Sequence, residues 1–434
     1  LTDKLRILCK NADSANEPGR RSQAAAIIQS LSIDQIVRLL RGFSGFFHLI
    51  NKAEQREIVR INRQRQRDAT IDAPRVESIS EAVYCLKRAG VSFESVLGWI
   101  GQLDIQPTFT AHPTEVRQRS IVHKQRQVAE QLARLQEHDL LPAERDATIR
   151  DIYSQISLLL ATDEIRAERP TVVDEVEHAL HFLSTSVWSV VPQLYSDLRQ
   201  ALKQHYAQEP ELSVFLRFRS WVGGDRDGNP NVTAEVTRAA LRLNRQTIIE
   251  LYLNELRCLW HDLSITGTFN AVPDELRNSL REDALTKLLA MEDIRPYANE
   301  PYRVKVSFIM ARLKSVLAGE CTADNDKYNS DCFVKDLELL QRCLRESNMK
   351  ELAETARLTE LIIRARTFGF HLTALDIRQH SAVHEGAVSQ LLAVGGTCDD
   401  YLVLTERLRV EVLESELRNR RPLMPPNALL SGEA

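Results

Sequence analysis

The sequence of 434 residues is poor in helix-breaking residues, with only 16 glycines and 15 prolines. Hydrophobic residues make up 43% of the chain and charged residues 27%, which excludes a disordered or fibrous protein and is typical of a globular protein rich in helix. No apolar run approaches the roughly 20 residues that a membrane-spanning helix needs, and the start of the chain shows no signal-peptide pattern. We therefore expect a protein that neither spans a membrane nor is secreted.

Neither sign of charge dominates the chain. The 56 lysines and arginines face 60 acidic residues, for a net charge of −4. This balance gives no global field suited to nucleic acid, so we predict no nucleic-acid partner. The seven cysteines contain no C-x-x-C pair, and their odd number and wide spacing favour a reducing cytoplasm.

Several well-known site motifs are missing. The chain has no phosphate-binding loop of the G-x-x-x-x-G-K-[ST] or G-x-G-x-x-G kind. The run that begins at Asp225 is not an EF-hand, because its sixth residue is Pro230 where the motif needs glycine. The spacing of His371, His380 and His384 matches no zinc motif. We predict no metal site in this chain.

Most of the sequence shows the apolar periodicity of amphipathic helices. Ser32-x-x-Gln35 and Ser78-x-x-Glu81 are capping boxes ahead of such helices. One apolar stripe runs from Asp174 to about Tyr206 and predicts a long helix, despite the possible kink at Pro192. Another helix is predicted from Thr233, its N-cap, to Asp262.

Strand candidates are few and short. They are Gln106 to Ala111, Val214 to Val222 and Phe368 to Arg378, each rich in aromatic or β-branched residues and each ending in polar residues. Long helical stretches separate them. We predict a predominantly α-helical protein with a few short parallel strands, which form part of an α/β barrel, of the TIM-like kind, surrounded by many helices.

His112 is the first candidate site residue. In Ala111-His-Pro-Thr-Glu115 the proline fits the first position of a helix, which leaves His112 at the N-cap. The positive end of the helix dipole disfavours the imidazolium form and favours a neutral ring that can accept a proton. Arg117 and Arg119 follow at once, and cations at a helix start indicate an anionic ligand. Alternatively, His112 only caps the helix and the arginines pair with carboxylates elsewhere.

The second candidate is the segment SWVGGDRDGNPNVT, residues 220–233. Its glycines permit backbone conformations closed to other residues, and Gly-Asn-Pro forces a turn. Asp225 and Asp227 flank Arg226 and could hold its guanidinium towards a phosphate or carboxylate. The alternative is a rigid turn with surface ion pairs.

The third candidate is TALDIRQHS, residues 373–381. In a strand, Asp376 and Arg378 share one face. If Phe368, Phe370 and Leu372 continue that face it is buried, and a buried arginine needs an anion. A structural salt bridge is the alternative.

The segments TAHPTE, SWVGGDRDGNPNVT and LDIRQ, in this order, resemble those of phosphoenolpyruvate carboxylases. The likeness extends in weaker form through residues 162–170 and 418–423. It covers nearly the whole chain, which resembles only the N-terminal half, roughly, of such an enzyme. On this view residues 1–434 are the N-terminal portion of a single large domain whose metal-binding C-terminal half is absent.

The resemblance implies an enzyme, a carbon–carbon lyase, that converts phosphoenolpyruvate and bicarbonate to oxaloacetate and phosphate through carboxyphosphate and the enolate of pyruvate. His112 then corresponds to the catalytic histidine that takes the proton of carboxyphosphate, and Arg378 to an arginine on the substrate phosphate. Trp221 corresponds to a tryptophan beside the substrate, and Arg226 shapes the same pocket. The family further implies Mg²⁺ or Mn²⁺ held by the missing half, and a cytoplasmic homotetramer that supplies the tricarboxylic acid cycle.

Two other functions stay open on the sequence. A truncated relative without activity could act as a helical scaffold or partner subunit. A phosphoenolpyruvate-using enzyme of the phosphohistidine kind would carry phosphate on His112 itself, although it would need a nucleotide or phosphocarrier domain. We expect the 434-residue chain alone to be inactive, because metal ligands are missing from it.

Overall fold

The computed structural model describes residues 25–110, 119–137, 139–162, 170–227, 229–319, 328–354 and 356–424. Helix predominates in these residues, as the sequence predicts. The chain divides into two compact units, one formed by Leu1–Tyr84 and Thr114–Arg169 and the other by Cys85–Pro113 and Pro170–Ala434. Among the described residues, none of the helices is both long enough and apolar enough to cross a membrane.

The first unit is built from long helices. A short helical segment, residues 25–29, precedes α1 (Ile33–Asp68), and α4 (Arg119–Arg134) and α5 (Pro142–Ala161) complete the unit. The predicted capping box starts α1. The Ser32 side chain accepts a hydrogen bond from the backbone N–H of Gln35, and the Gln35 side chain accepts one from the backbone N–H of Ser32. Helix α1 packs on α4 and α5 around Gly45, where an added Cβ would lie 2.7 Å from Leu160.

Helix α2 (Ile79–Arg88) crosses the boundary between the units. The predicted cap is present in part. The Ser78 hydroxyl accepts from the backbone N–H of Glu81 at 3.1 Å, but the Glu81 carboxylate accepts from the N–H of Glu77 and not from that of Ser78.

The second unit contains the remaining elements in the following order: α3 (Phe93–Gln102), β1 (Thr108–Phe109), α6 (Val172–Phe182), α7 (Trp188–Tyr206), β2 (Arg219–Ser220), α8 (Ala234–Asp262), α9 (Asp274–Leu285), α10 (Met291–Ile294), α11 (Pro301–Ala318), α12 (Ser330–Glu346), α13 (Lys350–Ala353), α14 (Ala356–Phe368), β3 (Ala374–Leu375), α15 (Ser381–Val394) and α16 (Glu406–Arg418). Short 3₁₀ helices lie at Arg295–Tyr297 and Tyr401–Val403. Thr233 caps α8 as predicted.

The long helix predicted between Asp174 and Tyr206 is present, with one irregular turn. Leu183–Val187 form a π-helical turn that joins α6 to α7 without a break. The turn ends just before Trp188, whose carbonyl is the one that Pro192 cannot satisfy, because proline lacks the N–H that a helix would place there. The π-helical turn therefore lies directly before the point where Pro192 interrupts the hydrogen bonds of the helix.

The three strands form one parallel sheet in the order β1-β2-β3. Thr108 pairs with Arg219, and Arg219 with Ala374. Helices fill both crossovers, as parallel neighbours require. The prediction of three short strands separated by helices is confirmed.

The strand predicted from Phe368 to Arg378 is much shorter in the structure. Phe368 ends α14, and Gly369 and Leu372 have φ angles of +53° and +58°, in the left-handed region that breaks an extended strand. The proposed alternation of Phe368, Phe370 and Leu372 with Asp376 is therefore wrong. Only Ala374–Leu375 pair as a strand.

An aromatic cluster fixes the strands on the helices. Phe368 stacks between Trp188 of α7 and Phe218, the residue before β2, with ring centroids 5.7 and 5.6 Å away. Tyr252 of α8 is fully buried beside Trp188, and its hydroxyl donates to the carbonyl of Gly369 at 2.8 Å. The backbone that leads into β2 and β3 is thus held from behind by the apolar core.

Candidate functional site

Polar side chains meet at the carboxyl ends of β2 and β3, around the carboxylate of Asp376. One Asp376 oxygen accepts from the indole N–H of Trp221 at 3.2 Å, and the other pairs with Arg219 at 2.9 Å. A second hydrogen bond joins the Nε of Arg219 to the side-chain oxygen of Gln106, just before β1. Asp376 therefore fixes the edge of the Trp221 ring and one guanidinium at once.

Arg378 lies on the face of the same tryptophan. Its guanidinium carbon is 4.0 Å from the centroid of the Trp221 ring, a cation–π distance. Its Nη1 forms an ion pair with Asp225 at 3.2 Å. The structural salt bridge that the sequence left open is therefore present, and it brings two of the three predicted segments together.

The backbone sets this arrangement. The N–H of Arg378 donates to the carbonyl of Gly224 at 3.0 Å, and the N–H of Arg226 donates to the carbonyl of Arg378 at 2.8 Å. An added Cβ on Gly224 would collide with the carbonyl oxygen of Asp376 and approach the Leu375 side chain to 3.0 Å. Glycine is required here because the two backbone segments approach each other too closely for a side chain.

Arg226 is not held by its two neighbouring aspartates, and this prediction is wrong. Asp225 pairs with Arg378, and Asp227 forms no ion pair with Arg226 in the described part of the chain. The Nε of Arg226 is buried without a hydrogen-bond partner among those residues, and so is the second oxygen of Asp225. A buried donor without an acceptor is costly and can be satisfied by a bound anion or by water.

The site is more open than the sequence suggests. The Arg378 side chain is 41% exposed and that of Arg219 is 43% exposed, so the expectation of a buried arginine face is wrong. Three arginines and two aspartates leave this cluster, consisting of Arg219, Arg226, Arg378, Asp225 and Asp376, with a formal charge of +1. A partly exposed cationic cluster of this kind can accept an anion from solvent.

Candidate His112 lies in residues 111–118, outside the described residues. Gly228 of the second candidate segment and residues 163–169 of the weaker likeness also lie outside them. Phe109, three positions before His112 in the sequence, accepts a backbone hydrogen bond from Trp221 at 2.8 Å.

Arg219 and Gln106 were not among the site residues predicted from the sequence. A signal for Arg219 was present, because residues 219 and 221 have the same parity on a predicted strand and therefore share a face with Trp221. Nothing local signalled Gln106, which meets Arg219 across 113 positions of the chain.

The described residues do not fit a metal centre. Among them, no group of three or more His, Cys, Asp or Glu side chains is placed to hold an ion. The two site carboxylates, Asp225 and Asp376, are each engaged with an arginine.

Comparison with known proteins identifies the family of this chain. A family model described as phosphoenolpyruvate carboxylase matches residues 1–434. Curated relatives of that name come from Rhodothermus marinus (46% identical over 99% of this chain), Roseiflexus castenholzii (35% over 98%) and Thermus thermophilus (34% over 100%), and the chain covers 46% of each of them. The chain thus spans about half the length of these relatives. It belongs to the phosphoenolpyruvate carboxylase family.

Proposed function

We propose that this chain provides the phosphate-binding side of an enzyme that carboxylates phosphoenolpyruvate with bicarbonate to give oxaloacetate and phosphate. One observation carries the proposal most strongly. Arg378 lies on the ring of Trp221, and two carboxylates from distant segments hold both groups at the ends of neighbouring strands. Such a pair offers a planar cation for a phosphate and an apolar surface for a three-carbon chain.

In the proposed reaction, an oxygen of bicarbonate attacks the phosphorus, and the phosphoryl group leaves the enolate of pyruvate to give carboxyphosphate. Carboxyphosphate then loses CO₂ and leaves phosphate, and the enolate carbon adds to CO₂. Arg378 neutralises charge on the phosphoryl group as it moves, and the unpartnered Nε of Arg226 is a further donor for that charge. The Trp221 ring shields CO₂ and the enolate from water.

His112 is the proposed base of the second step. A neutral imidazole at a helix start takes the proton of carboxyphosphate and so promotes release of CO₂. The hydrogen bond between Phe109 and Trp221 supports this role, because it ties the strand before His112 to the proposed substrate wall.

We further propose that the three strands are part of a TIM-like barrel surrounded by helices. A full-length protein of this family would be a cytoplasmic homotetramer that replenishes the tricarboxylic acid cycle. Mg²⁺ or Mn²⁺, which would stabilise the enolate oxygen when bound, would be held by residues outside those described. The 434-residue chain alone should therefore bind phosphoenolpyruvate without carboxylating it.

The test uses a chimera in which this chain is followed by the remaining portion of the Rhodothermus marinus relative. We expect the chimera to form oxaloacetate and the chain alone to form none, as measured by coupling to malate dehydrogenase. His112→Asn in the chimera should retain phosphoenolpyruvate binding, measured by calorimetry, and lose oxaloacetate formation. Normal turnover by that variant would remove His112 from the mechanism.

Two further outcomes would support other functions. A chimera without activity, together with a chain that does not bind phosphoenolpyruvate, would favour the scaffold. A stable phosphoryl adduct on His112, found by mass spectrometry after incubation with phosphoenolpyruvate, would favour the phosphohistidine mechanism.

A further inference from the structure

A cavity lies in the second unit, and none of its lining residues belongs to the cluster around Trp221. The cavity has a volume of about 440 Å³ and lies between α7, residues 209–214, α12 and α14. That volume is within the range of small-molecule sites, which is about 300–1,000 Å³.

One patch of the otherwise polar lining, here called the floor, is apolar. Leu212, Ile362 and Ile363 line it, and each is less than 10% exposed. Tyr195 adds an aromatic wall, which is held by a hydrogen bond from the Phe215 N–H to its hydroxyl at 3.2 Å. A ligand here would bury an apolar body.

The rim carries two arginines that are only weakly engaged by carboxylates. Arg199 forms no hydrogen bond or ion pair with any residue in the described part of the chain. Among the described residues, the one carboxylate contact of the Arg345 side chain is with Glu354 at 4.0 Å, the limit for an ion pair. Both line the cavity.

The acidic residues of the rim have cationic neighbours of their own. Glu209 pairs with Lys203 at 2.7 Å, Glu211 with Arg366 at 3.1 Å, and Glu354 approaches Lys350 at 3.9 Å. The Lys203 ammonium in particular lowers the pKa of Glu209. Each of these carboxylates therefore has a lysine or arginine partner other than Arg199 and Arg345, and these two guanidinium groups are the rim cations left for a ligand, although Arg199 also acts on Glu209 and Arg345 contacts Glu354.

A buried hydroxyl completes the site. Thr367 is 5% exposed and lines the cavity, and its Oγ1 has no hydrogen-bond partner among the described residues. An orphaned polar atom of this kind is satisfied when a ligand or water reaches it.

We propose that this cavity binds a small organic monocarboxylate, with the carboxylate at Arg199 and Arg345 and its apolar body on Ile362 and Ile363. An inorganic anion would leave the apolar floor uncovered, and a neutral molecule would not neutralise the two guanidinium groups. The proposal does not depend on the carboxylase reaction, because no residue is shared with it.

Benzoate is the probe, with benzamide as its neutral isostere and inorganic phosphate as an anion without an apolar body. We expect saturable binding of benzoate to the purified chain, measured by calorimetry, and binding at least about tenfold weaker for the other two. Benzoate should also shift the methyl resonances of Ile362 and Ile363, assigned through Ile362→Val and Ile363→Val.

The double variant Arg199→Gln/Arg345→Gln should weaken benzoate binding at least about tenfold, because both charge-assisted contacts are lost. Thr367→Val should weaken it by a smaller factor. The matched control is Arg238→Gln/Arg277→Gln, which removes two exposed helical arginines outside the cavity and should change nothing.

Circular dichroism will establish that each variant is folded. The proposal is wrong if benzoate shows no saturable binding up to about 10 mM, well above the Kd expected for a specific small ligand. It is equally wrong if the double variant binds benzoate as tightly as the parent chain, or if the methyl groups of Ile362 and Ile363 do not respond.

Discussion

Replacing Lys305 by methionine should destabilise the second unit more than any other removal of a single lysine charge in the described chain. Lys305 of α11 is 1% exposed, and its ammonium donates to Ser279 at 2.7 Å and lies 3.0 Å from Asp283 and 2.7 Å from Asp336. Arg312, which lies two turns further along α11, pairs with the same two aspartates. The group of two cations and two carboxylates is neutral.

The magnitude follows from burial. Lys305→Met keeps most of the side-chain volume but leaves Asp283, 2% exposed, and Asp336, 15% exposed, to share Arg312. Breaking a buried ion pair in this way costs about 3–5 kcal/mol, since the remaining charge is desolvated without compensation. This is a large part of the roughly 5–15 kcal/mol that stabilises a domain.

Unfolding in urea, followed by tryptophan fluorescence, measures the effect. All four tryptophans, Trp99, Trp188, Trp221 and Trp260, belong to the second unit, so the signal reports on that unit. The control is Lys350→Met, which removes an exposed lysine 3.9 Å from Glu354 and should cost less than about 1 kcal/mol.

A second substitution separates charge from packing. Asp283→Asn added to Lys305→Met leaves one arginine and one aspartate, so neutrality returns. The double variant should be at least about 1 kcal/mol more stable than the sum of the two single effects. If Lys305→Met costs less than about 1 kcal/mol, or the two effects simply add, the argument from buried charge is refuted.

Three further predictions concern other parts of the second unit. Burial raises the pKa of Tyr302 to about 12, whereas the pKa of a tyrosine in an unfolded chain is near 10. The stability that the neutral hydroxyl contributes is therefore fully present below pH 10 and should fall as the pH rises towards 12. Tyr302→Phe should flatten this decline in urea titrations, and an unchanged slope would contradict it. Thr233→Ala removes the cap that accepts from Val236 and should cost about 1 kcal/mol in urea unfolding, whereas Thr233→Ser should cost little. Arg378→Lys keeps the charge but loses the planar fork, so calorimetry should show phosphoenolpyruvate binding to the chain at least about tenfold weaker; equal affinity would exclude a bidentate contact.

The sequence predicted the strands and helix caps around the site better than it predicted which site side chains pair with one another. Aromatic and β-branched residues before polar ones located all three strands, and the caps at Ser32 and Thr233 were readable because capping is local. The extent of β3 was not readable. The left-handed conformation of Leu372 is unusual for a branched side chain, and only its tertiary surroundings hold it there.

The partner of Asp225 shows the same limit. Local reasoning paired it with Arg226, its neighbour in the chain, but the structure pairs it with Arg378, 153 positions away. Adjacent residues on an extended backbone point to opposite sides, so neighbours in sequence are poorly placed to form an ion pair. A long-range partner was the better physical expectation, but one sequence cannot say which arginine it is.

The geometry also shows which interactions bring the distant segments of the candidate site together. Its ion pairs are partly exposed, and each such pair contributes at most about 1 kcal/mol, too little to bring distant segments together. The backbone bonds that join Gly224 and Arg226 to Arg378, on a sheet held by the buried stack of Trp188, Phe368 and Phe218, are not screened in that way. The core and the sheet therefore place the segments, and the two aspartates only select the rotamers of Trp221, Arg219 and Arg378. It follows that removing one of these carboxylates should disturb the binding of an anion more than it disturbs the fold.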